Sequence, residues 1–220
     1  SLHAGGGINK DPWGGVNIFW GSSDGIEISN RTVLTEINLA SSTIADINKD
    51  GYLDLVLGQY ESDPESYVII YYGAKDGFDR SRRVALPCYG RSLSIQLADY
   101  DKDGWLDIAA NSYQDGGVRI FYGSADGYDV NRSITIDAPS VVDLDTADLN
   151  NDGWLDAFTP GLQMINPPYG PKYTSLMYKN VTPDSTSADY SWVKINLEGA
   201  KNSITNDGWS TESNKSAIGA

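Results

Sequence analysis

The amino-acid sequence predicts an all-β protein built from repeated units of four short antiparallel strands. One aspartate-rich motif occurs three times at intervals of roughly 50 residues, and two further motifs recur with the same period but out of phase with it. The stretches between the motifs are short and alternate apolar with polar residues, and none has the helical period of about 3.6 residues. Three motifs that share one period indicate a single structural unit repeated along the chain.

The strand order within a unit is clearest in the middle of the chain. Residues 94–98 lead into the aspartate-rich motif and residues 106–110 leave it, whereas residues 118–122 alternate and end near an Asp-Gly pair, and residues 132–136 alternate again. Asp-Gly is a strong signal for a hairpin turn. Four-stranded units of this length are typical of propeller blades, which stack radially so that each sheet buries both faces on its neighbours. The predicted fold is therefore a β-propeller of four-stranded antiparallel blades.

The repeat also sets the expected domain boundaries. The first unit opens in mid-blade, because residues 15–20 match the third strand of the other units. Three architectures remain open: a fragment of a larger propeller, a small closed ring whose two ends complete one blade, and a propeller completed by strands of another molecule. The expected divisions are about 1–40, 41–92, 93–140 and 141–180 for the repeats, 1–175 for the repeat domain as a whole, and 176–220 for a last blade or the start of a second module.

The aspartate-rich motif has the pattern Asp-x-(Asp/Asn)-x-Asp-Gly-x-x-Asp, which predicts a calcium-binding loop. Calcium takes about six to eight oxygen ligands, and alternate side chains of a tightly curled loop point towards its centre. The glycine permits the reversal of the chain, the residue after it offers its backbone carbonyl, and the last aspartate closes the shell. About three Ca²⁺ ions are expected, one in each loop. The expected ligands are Asp46, Asn48, Asp50, the Tyr52 carbonyl and Asp54; Asp99, Asp101, Asp103, the Trp105 carbonyl and Asp107; and Asp148, Asn150, Asp152, the Trp154 carbonyl and Asp156.

An EF-hand, a magnesium site and a metal-free turn fit these loops less well than calcium does. An EF-hand would end in a glutamate and lie between helices, whereas here an aspartate ends the motif and strands flank it. Magnesium prefers tight octahedral geometry and retains its water. An aspartate-rich turn without metal is the alternative for any single copy, but the three copies concentrate ten carboxylates, a density of like charge that needs counterions.

The net charge of −14 disfavours partners that are themselves anionic. An acidic surface repels nucleic-acid phosphates and anionic lipid, and no apolar run is long enough to span a bilayer, so neither nucleic-acid binding nor membrane insertion is expected. Cys88, the only cysteine, is expected to be a buried apolar residue, and His3 is the only histidine. No acid–base constellation stands outside the loops, so no catalytic residue and no organic cofactor is assigned.

The loops and the two motifs that accompany them resemble the FG-GAP/VCBS repeat family, which is related to the propeller of integrin α chains. The resemblance covers roughly residues 8–160. It implies a β-propeller, usually seven-bladed, with calcium in hairpin loops at one rim and an extracellular location. The accompanying motifs are an aromatic pair before glycine and then Asp-Gly, at Phe19-Trp20-Gly21, Tyr71-Tyr72-Gly73 and Phe121-Tyr122-Gly123, followed by an arginine at Arg31, Arg82 and Arg132.

The last quarter of the chain departs from the repeat. Residues 176–180, 192–199 and 213–220 resemble the start of the ASPIC/UnbV module that often follows such propellers. A rival interpretation treats residues 203–211 as a fourth, decayed loop around Asn206-Asp207-Gly208-Trp209. No metal is expected there, because Ser203, Thr205 and Thr211 replace the ligands.

These features predict a non-catalytic, extracellular calcium-binding protein, secreted or at the cell surface, that acts in binding, adhesion or assembly. Its partner is expected to be a protein, a carbohydrate or another copy of the chain. Two alternatives remain open: the propeller portion of a polysaccharide-active lyase or hydrolase, and a structural subunit of an extracellular filament. Segments 3–13, 60–66 and 164–173 break the repeat and are the expected partner contacts. Glycosylation sequons begin at Asn30, Asn131, Asn180 and Asn214.

Overall fold

The computed structural model describes most of the chain between residues 15 and 196. The described residues form fourteen β-strands and one 3-10 helix, Arg80–Arg82, so the prediction of an all-β protein is confirmed. Across these residues, no helix is both long and apolar enough to cross a membrane. The described ranges are 15–36, 38–60, 66–88, 90–112, 117–138, 141–160, 176–180 and 192–196.

The strands form four antiparallel sheets, in each of which the strands follow one another in chain order. We call these sheets blades 1 to 4, and together they are consecutive blades of a β-propeller. The strands are β1 (Val16–Ser22) and β2 (Gly25–Leu34) in blade 1; β3 (Leu39–Ala45), β4 (Asp54–Gln59), β5 (Ser66–Tyr71) and β6 (Arg83–Cys88) in blade 2; β7 (Ile95–Ala98), β8 (Asp107–Ser112), β9 (Gly117–Phe121) and β10 (Ser133–Ile136) in blade 3; and β11 (Asp145–Ala147), β12 (Asp156–Thr159), β13 (Leu176–Asn180) and β14 (Trp192–Asn196) in blade 4.

Blade 4 contains two segments from the last quarter of the chain. β12 pairs with β13 and β13 pairs with β14, which places residues 176–180 and 192–196 in the same sheet as the third aspartate-rich motif. The decayed loop predicted at 203–211 lies outside the described residues, as does most of the segment that resembles an ASPIC/UnbV module. Both therefore stay predictions.

Apolar side chains pack between successive blades, and β4 shows how. Successive side chains of a strand point to opposite faces of its sheet. Leu55 and Leu57 pack in the cluster shared with blade 1, whereas Val56 between them packs in the cluster shared with blade 3. All three are at most 5% exposed, and a fully buried aliphatic side chain contributes roughly 1.5–3 kcal/mol. The stack of blades therefore provides the rigid support on which the connecting loops lie.

The connection between the third and fourth strands agrees with the predicted hairpin only in blade 1. There β1 and β2 continue to a tight turn, where Ser22 pairs with Gly25. In blade 2, β5 ends at Tyr71 and β6 begins at Arg83, so the Asp-Gly pair lies within a longer connection. Blade 3 follows blade 2 in this respect.

An arginine side chain binds carbonyl groups in each of these longer connections. The Arg82 guanidinium donates hydrogen bonds to the carbonyls of Tyr72 and Gly77, and Arg132 makes the equivalent bonds in blade 3. These bonds satisfy carbonyls that a strand ladder would otherwise have to pair. Arg82 and Arg132 thus stabilise the longer connections of blades 2 and 3.

Candidate metal centre

The three aspartate-rich loops occupy the same place in successive blades. We call residues 46–54 loop 1, residues 99–107 loop 2 and residues 148–156 loop 3. Each joins the first strand of its blade to the second, in blades 2, 3 and 4 respectively. Contacts between loops 1 and 2 and between loops 2 and 3 show that they lie side by side along one rim.

Each loop reverses its direction through two residues with positive φ, a region that disfavours every residue except glycine. One is the glycine of the motif, and the other stands two positions before it. The glycines are Gly51, Gly104 and Gly153, with φ of 89°, 91° and 86°, and the preceding residues are Lys49, Lys102 and Asn151, with φ of 61°, 59° and 59°.

The first aspartate of each loop holds the glycine in place. Its Oδ2 accepts a hydrogen bond from the glycine N–H at 2.9 Å in all three loops. In loop 1 the other oxygen of Asp46 also accepts from the Asp50 N–H, at 3.1 Å. These bonds curl the backbone around the side chains of the loop.

The middle positions continue the same hydrogen-bonding pattern. Asp101 Oδ1 accepts from the Asp103 N–H at 3.2 Å, and Asp103 Oδ1 accepts from the Trp105 N–H at 2.8 Å. Asn48 and Asn150 accept the corresponding bond in loops 1 and 3. The side-chain oxygens at these middle positions therefore lie within the loops, and each of these residues already accepts one backbone hydrogen bond.

The closing aspartate joins its loop to the third strand of the blade. Asp107 is fully buried; its Oδ2 accepts from the Tyr100 N–H and its Oδ1 from the Gly123 N–H, both at 2.8 Å. Burial raises the pKa of Asp107 to about 7, because the charged form loses its hydration, and it also raises the pKa of Asp54. The neighbouring carboxylates Asp101 and Asp103 raise the Asp107 pKa further. A nearby cation would favour the charged form of this carboxylate.

Three carboxylates of loop 2 come together in a way that could hold a metal ion. One oxygen from each of Asp99, Asp101 and Asp107 lies within 4.8 Å of the others. Asp99 Oδ1 is buried and has no hydrogen-bond partner, a costly state for a charged oxygen. Hard oxygen ligands with negative charge are what Ca²⁺ prefers. The residues present therefore fit calcium, and Asp103 is the one predicted carboxylate of the loop outside this group.

Within the described ranges, loop 2 is the one loop in which three carboxylates converge. Loops 1 and 3 carry an asparagine, Asn48 or Asn150, where loop 2 has Asp101. An amide oxygen still binds calcium but adds no charge. In loop 3 the Lys179 ammonium also lies 3.2 Å from an Asp152 oxygen. Loop 2 therefore has the most carboxylates of the three loops and should attract a cation most strongly.

The residues that were predicted to offer a backbone carbonyl differ in their surroundings. Tyr52 is 42% exposed, whereas Trp105 and Trp154 are half-buried under lysine side chains of the preceding loop. Their N–H groups are used within the loops, as the bond from Trp105 to Asp103 shows. That their carbonyls bind metal stays a prediction.

The glycine of the aromatic motif lies against the same loop. A Cβ on Gly123 would lie 2.2 Å from the Leu106 carbonyl oxygen, and one on Gly73 would lie 2.1 Å from that of Leu53. The end of the loop therefore lies directly against the glycine, whose N–H donates to the closing aspartate. In the sequence the two motifs look independent, but in the fold they form one arrangement.

Asn180 takes the glycine's place in blade 4. Its N–H donates to Asp156 Oδ1 at 2.9 Å, and its side-chain nitrogen donates to the Tyr100 carbonyl in loop 2, at 3.3 Å. This role was not predicted from the sequence. Alignment of Tyr178-Lys179-Asn180 with Tyr71-Tyr72-Gly73 was the available signal, and the insertion before β13 concealed it.

The structure describes some of the other residues that the sequence analysis singled out: the cysteine, the sequons, the histidine and the segments that break the repeat. Cys88 is buried as expected, and burial raises the pKa of its thiol to about 11. Of the sequons, Asn30 and Asn131 are exposed, whereas Asn180 is 3% exposed and engaged in the bonds just described. Asn214 and His3 lie outside the described residues, as do segments 3–13 and 164–173 and most of 60–66.

Comparison with known proteins agrees with this architecture. The model of the FG-GAP-like repeat matches residues 46–110, from the first aspartate of loop 1 to β8, and so spans loops 1 and 2 with the whole of the chain between them. A search of curated proteins found no match to the chain. The predicted resemblance to FG-GAP repeats is confirmed.

Proposed function

We propose, from the FG-GAP-like repeat at residues 46–110 and the blades that surround it, that the protein is a non-catalytic, extracellular, calcium-binding β-propeller that acts in binding, adhesion or assembly. The observation that carries the calcium assignment is the buried, unpartnered Oδ1 of Asp99 beside the oxygens of Asp101 and Asp107. A cation is the simplest partner for an oxygen in such surroundings.

In loop 2, the ion would be held by Asp99, Asp101 and Asp107, with Asp103 and the Trp105 carbonyl completing the shell. The corresponding oxygens of loops 1 and 3 would hold two further ions. When bound, calcium neutralises the repulsion among the loop carboxylates and cross-links the two strands that each loop joins.

The proposed role is to make the loop rim rigid so that it presents a fixed surface. The carboxylates of the loops accept backbone hydrogen bonds, which suits a structural role better than proton transfer. Calcium modules outside cells bind at about 10⁻⁴–10⁻³ M, a range that needs millimolar calcium. An extracellular or cell-surface location would supply calcium at that concentration, and the acidic net charge of −14 is compatible with it.

Isothermal titration calorimetry with calcium tests the first part of this proposal. The expected result is a stoichiometry of about three, one ion for each loop, with much weaker binding of magnesium. Asp126→Asn removes one negative charge from the exposed Asp-Gly turn of blade 3, outside the loops, and should not alter the isotherm. The absence of heat at millimolar calcium would overturn the calcium assignment.

A second pair of measurements separates a binding role from assembly. A panel of immobilised polysaccharides and proteins is screened with calcium and with chelator, and the same samples are examined by electron microscopy. Calcium-dependent binding to one class of ligand without turnover supports a binding module, whereas filaments support self-assembly. Release of oligosaccharides from any polysaccharide would contradict the non-catalytic assignment.

A further inference from the structure

A lysine in each of the first two loops contacts a tryptophan of the next loop. The Lys49 ammonium lies 4.1 Å from the centroid of the Trp105 ring, and the Lys102 ammonium lies 4.0 Å from that of Trp154. Both lysines stand at the fourth position of their loop and both tryptophans at the seventh position of the following loop. The same cation–π contact thus occurs twice, at equivalent places between blades 2 and 3 and between blades 3 and 4.

The backbone around these contacts belongs to the loops themselves. Both lysines have positive φ, at 61° and 59°, so each lies at a reversal of its own loop. At the other end, the Trp105 N–H donates to Asp103 and the Trp154 N–H donates to Asp152, so each ring is carried by a residue within the hydrogen-bonded part of the next loop. Order in one loop is therefore connected to order in the next through a single side chain.

We propose that Lys49 and Lys102 are positioning residues that couple neighbouring calcium loops. Calcium in one loop fixes the backbone of its lysine, and the lysine holds the tryptophan of the next loop, so that this loop loses less conformational freedom when its own ion binds. The result is positive coupling between sites. The inference rests on the proposed function, because it concerns how the proposed calcium sites influence one another.

The series stops at loop 3 for a chemical reason. Asn151 replaces the lysine there, and its short, neutral side chain cannot make a cation–π contact. The two lysines could instead act only through their charge, since an ammonium beside an acidic loop opposes the binding of a second cation. Coupling through the ring contact and action through charge alone predict opposite signs when the lysine is removed.

Nuclear magnetic resonance separates the sites, because the Gly51, Gly104 and Gly153 amides each donate to the first aspartate of a different loop. Calcium titration of Lys102→Met should show an affinity of loop 3 lowered about twofold to fivefold, with loop 1 unchanged. Lys102→Arg, which keeps the charge and the ring contact, should stay within about twofold of the original protein. Lys49→Met should affect loop 2 in the same way as Lys102→Met affects loop 3.

Lys75→Met is the matched control. Lys75 is exposed in the connection between β5 and β6, and its substitution removes one positive charge, as Lys102→Met does. An unchanged or increased affinity of loop 3 in Lys102→Met, with the fold intact by its amide spectrum, would overturn the coupling. If none of the three loops in the original protein responds to calcium, the proposed function fails, and the inference fails with it. That result differs from one in which the loops bind calcium and the lysine variants leave the affinities unchanged, which would overturn the coupling alone.

Discussion

In loop 2 several carboxylate oxygens accept backbone hydrogen bonds, whereas Asp99 Oδ1 has no hydrogen-bond partner. Asp107 accepts a hydrogen bond on each of its oxygens, one from the Tyr100 N–H and one from the Gly123 N–H. Its removal would leave these two buried donors unpaired. Asp99 uses one oxygen to hold Gly104 and leaves the other buried and free. Asp99 is therefore the residue at which metal binding can be tested with the least damage to the fold.

Asp99→Asn is predicted to reduce the stabilisation by calcium without lowering the stability of the calcium-free protein. The amide oxygen can still accept from the Gly104 N–H, while the loss of charge removes repulsion from Asp101 and Asp107. Without calcium the free energy of unfolding should stay equal or rise by up to about 1 kcal/mol. The additional stabilisation that millimolar calcium provides should be smaller than in the original protein by about 0.4–1.4 kcal/mol, the contribution of one site. Urea unfolding with calcium and with chelator measures both.

Asp126→Asn serves as the control for that experiment, because Asp126 is exposed and stands outside the loops. Its effect should be small and equal in both conditions. A variant Asp99→Asn that destabilises equally with and without calcium would show that Asp99 has a purely structural role.

The glycine before each Asp-Gly connection gives a second prediction at this scale. Gly123→Ala should destabilise the protein by about 1–3 kcal/mol, since the new methyl group would meet the Leu106 backbone oxygen, which cannot move independently. Gly21 holds the same position of the motif in blade 1, yet a Cβ there would meet nothing within 4 Å. Gly21→Ala should therefore change stability by less than about 0.5 kcal/mol, and similar losses in both variants would refute the role of this close contact.

Which single residues could be predicted from the sequence depended on distance along the chain. The loop oxygens were predictable, because a short motif fixes both their spacing and their chemistry, although their occupancy by metal is still a prediction. The contacts of Lys102 with Trp154 and of Asn180 with Tyr100 were not predictable, because they exist only once separate blades stack. No local pattern specifies which side chains meet across that interface.

At the scale of elements, a buried ion pair joins blade 1 to blade 2. Glu36 follows β2 and is 6% exposed; it accepts hydrogen bonds from the Arg83 guanidinium at 2.6 Å and from the Tyr71 hydroxyl at 2.5 Å. Burial opposes the charge of Glu36, but the bonds from Arg83 and Tyr71 and the charges of Arg83 and Arg80 outweigh it and lower the pKa of Glu36. The carboxylate form is thus favoured in the folded protein.

The lowered pKa predicts how this contact depends on pH. Its stabilisation is complete above the unfolded value of 4.5 and is lost as the pH falls through the lower folded value. Glu36→Gln should reduce the free energy of unfolding by about 1.5–3 kcal/mol near neutral pH, and the difference from the original protein should shrink as the pH falls below 4.5 and through the lower folded value. Glu27→Gln, at an exposed position of β2, is the control. A difference that does not change with pH would contradict the assignment.

The strands themselves were largely predictable, whereas the connections between the third and fourth strands were not. Alternation and turn signals placed the four strands of blade 3 within one or two residues of where they lie. In the long connection of blade 2, the Arg82 guanidinium at its far end binds the carbonyls of Tyr72 and Gly77. Turn residues alone do not reveal such a partner.

For the whole molecule, the stack of blades brings the three loops and their ten carboxylates to one rim. The blade architecture followed from the period of the sequence, because one unit that cannot bury both of its faces alone must stack on its neighbours. The same stacking concentrates negative charge where a single loop would have little. Removal of calcium should therefore affect the molecule as a whole and not one loop alone.

Calcium removal is predicted to lower the melting temperature. An ion that binds the folded loop and not the unfolded chain adds RT ln(1 + [Ca²⁺]/Kd), which is about 0.4–1.4 kcal/mol for each site at millimolar calcium and Kd values of about 10⁻³–10⁻⁴ M. Three sites give about 1–4 kcal/mol, which corresponds to a shift of roughly 2–15 °C for a domain of this size. Differential scanning calorimetry with calcium and with excess chelator measures the shift, and limited proteolysis should show new cleavage at the loop tips, near Lys49, Lys102 and Asn151, once the chelator is present.

Asp99→Asn should remove about a third of the shift, since two loops remain, whereas Asp126→Asn should leave it intact. Identical melting curves in the two conditions would mean that the loops are held by their hydrogen bonds alone.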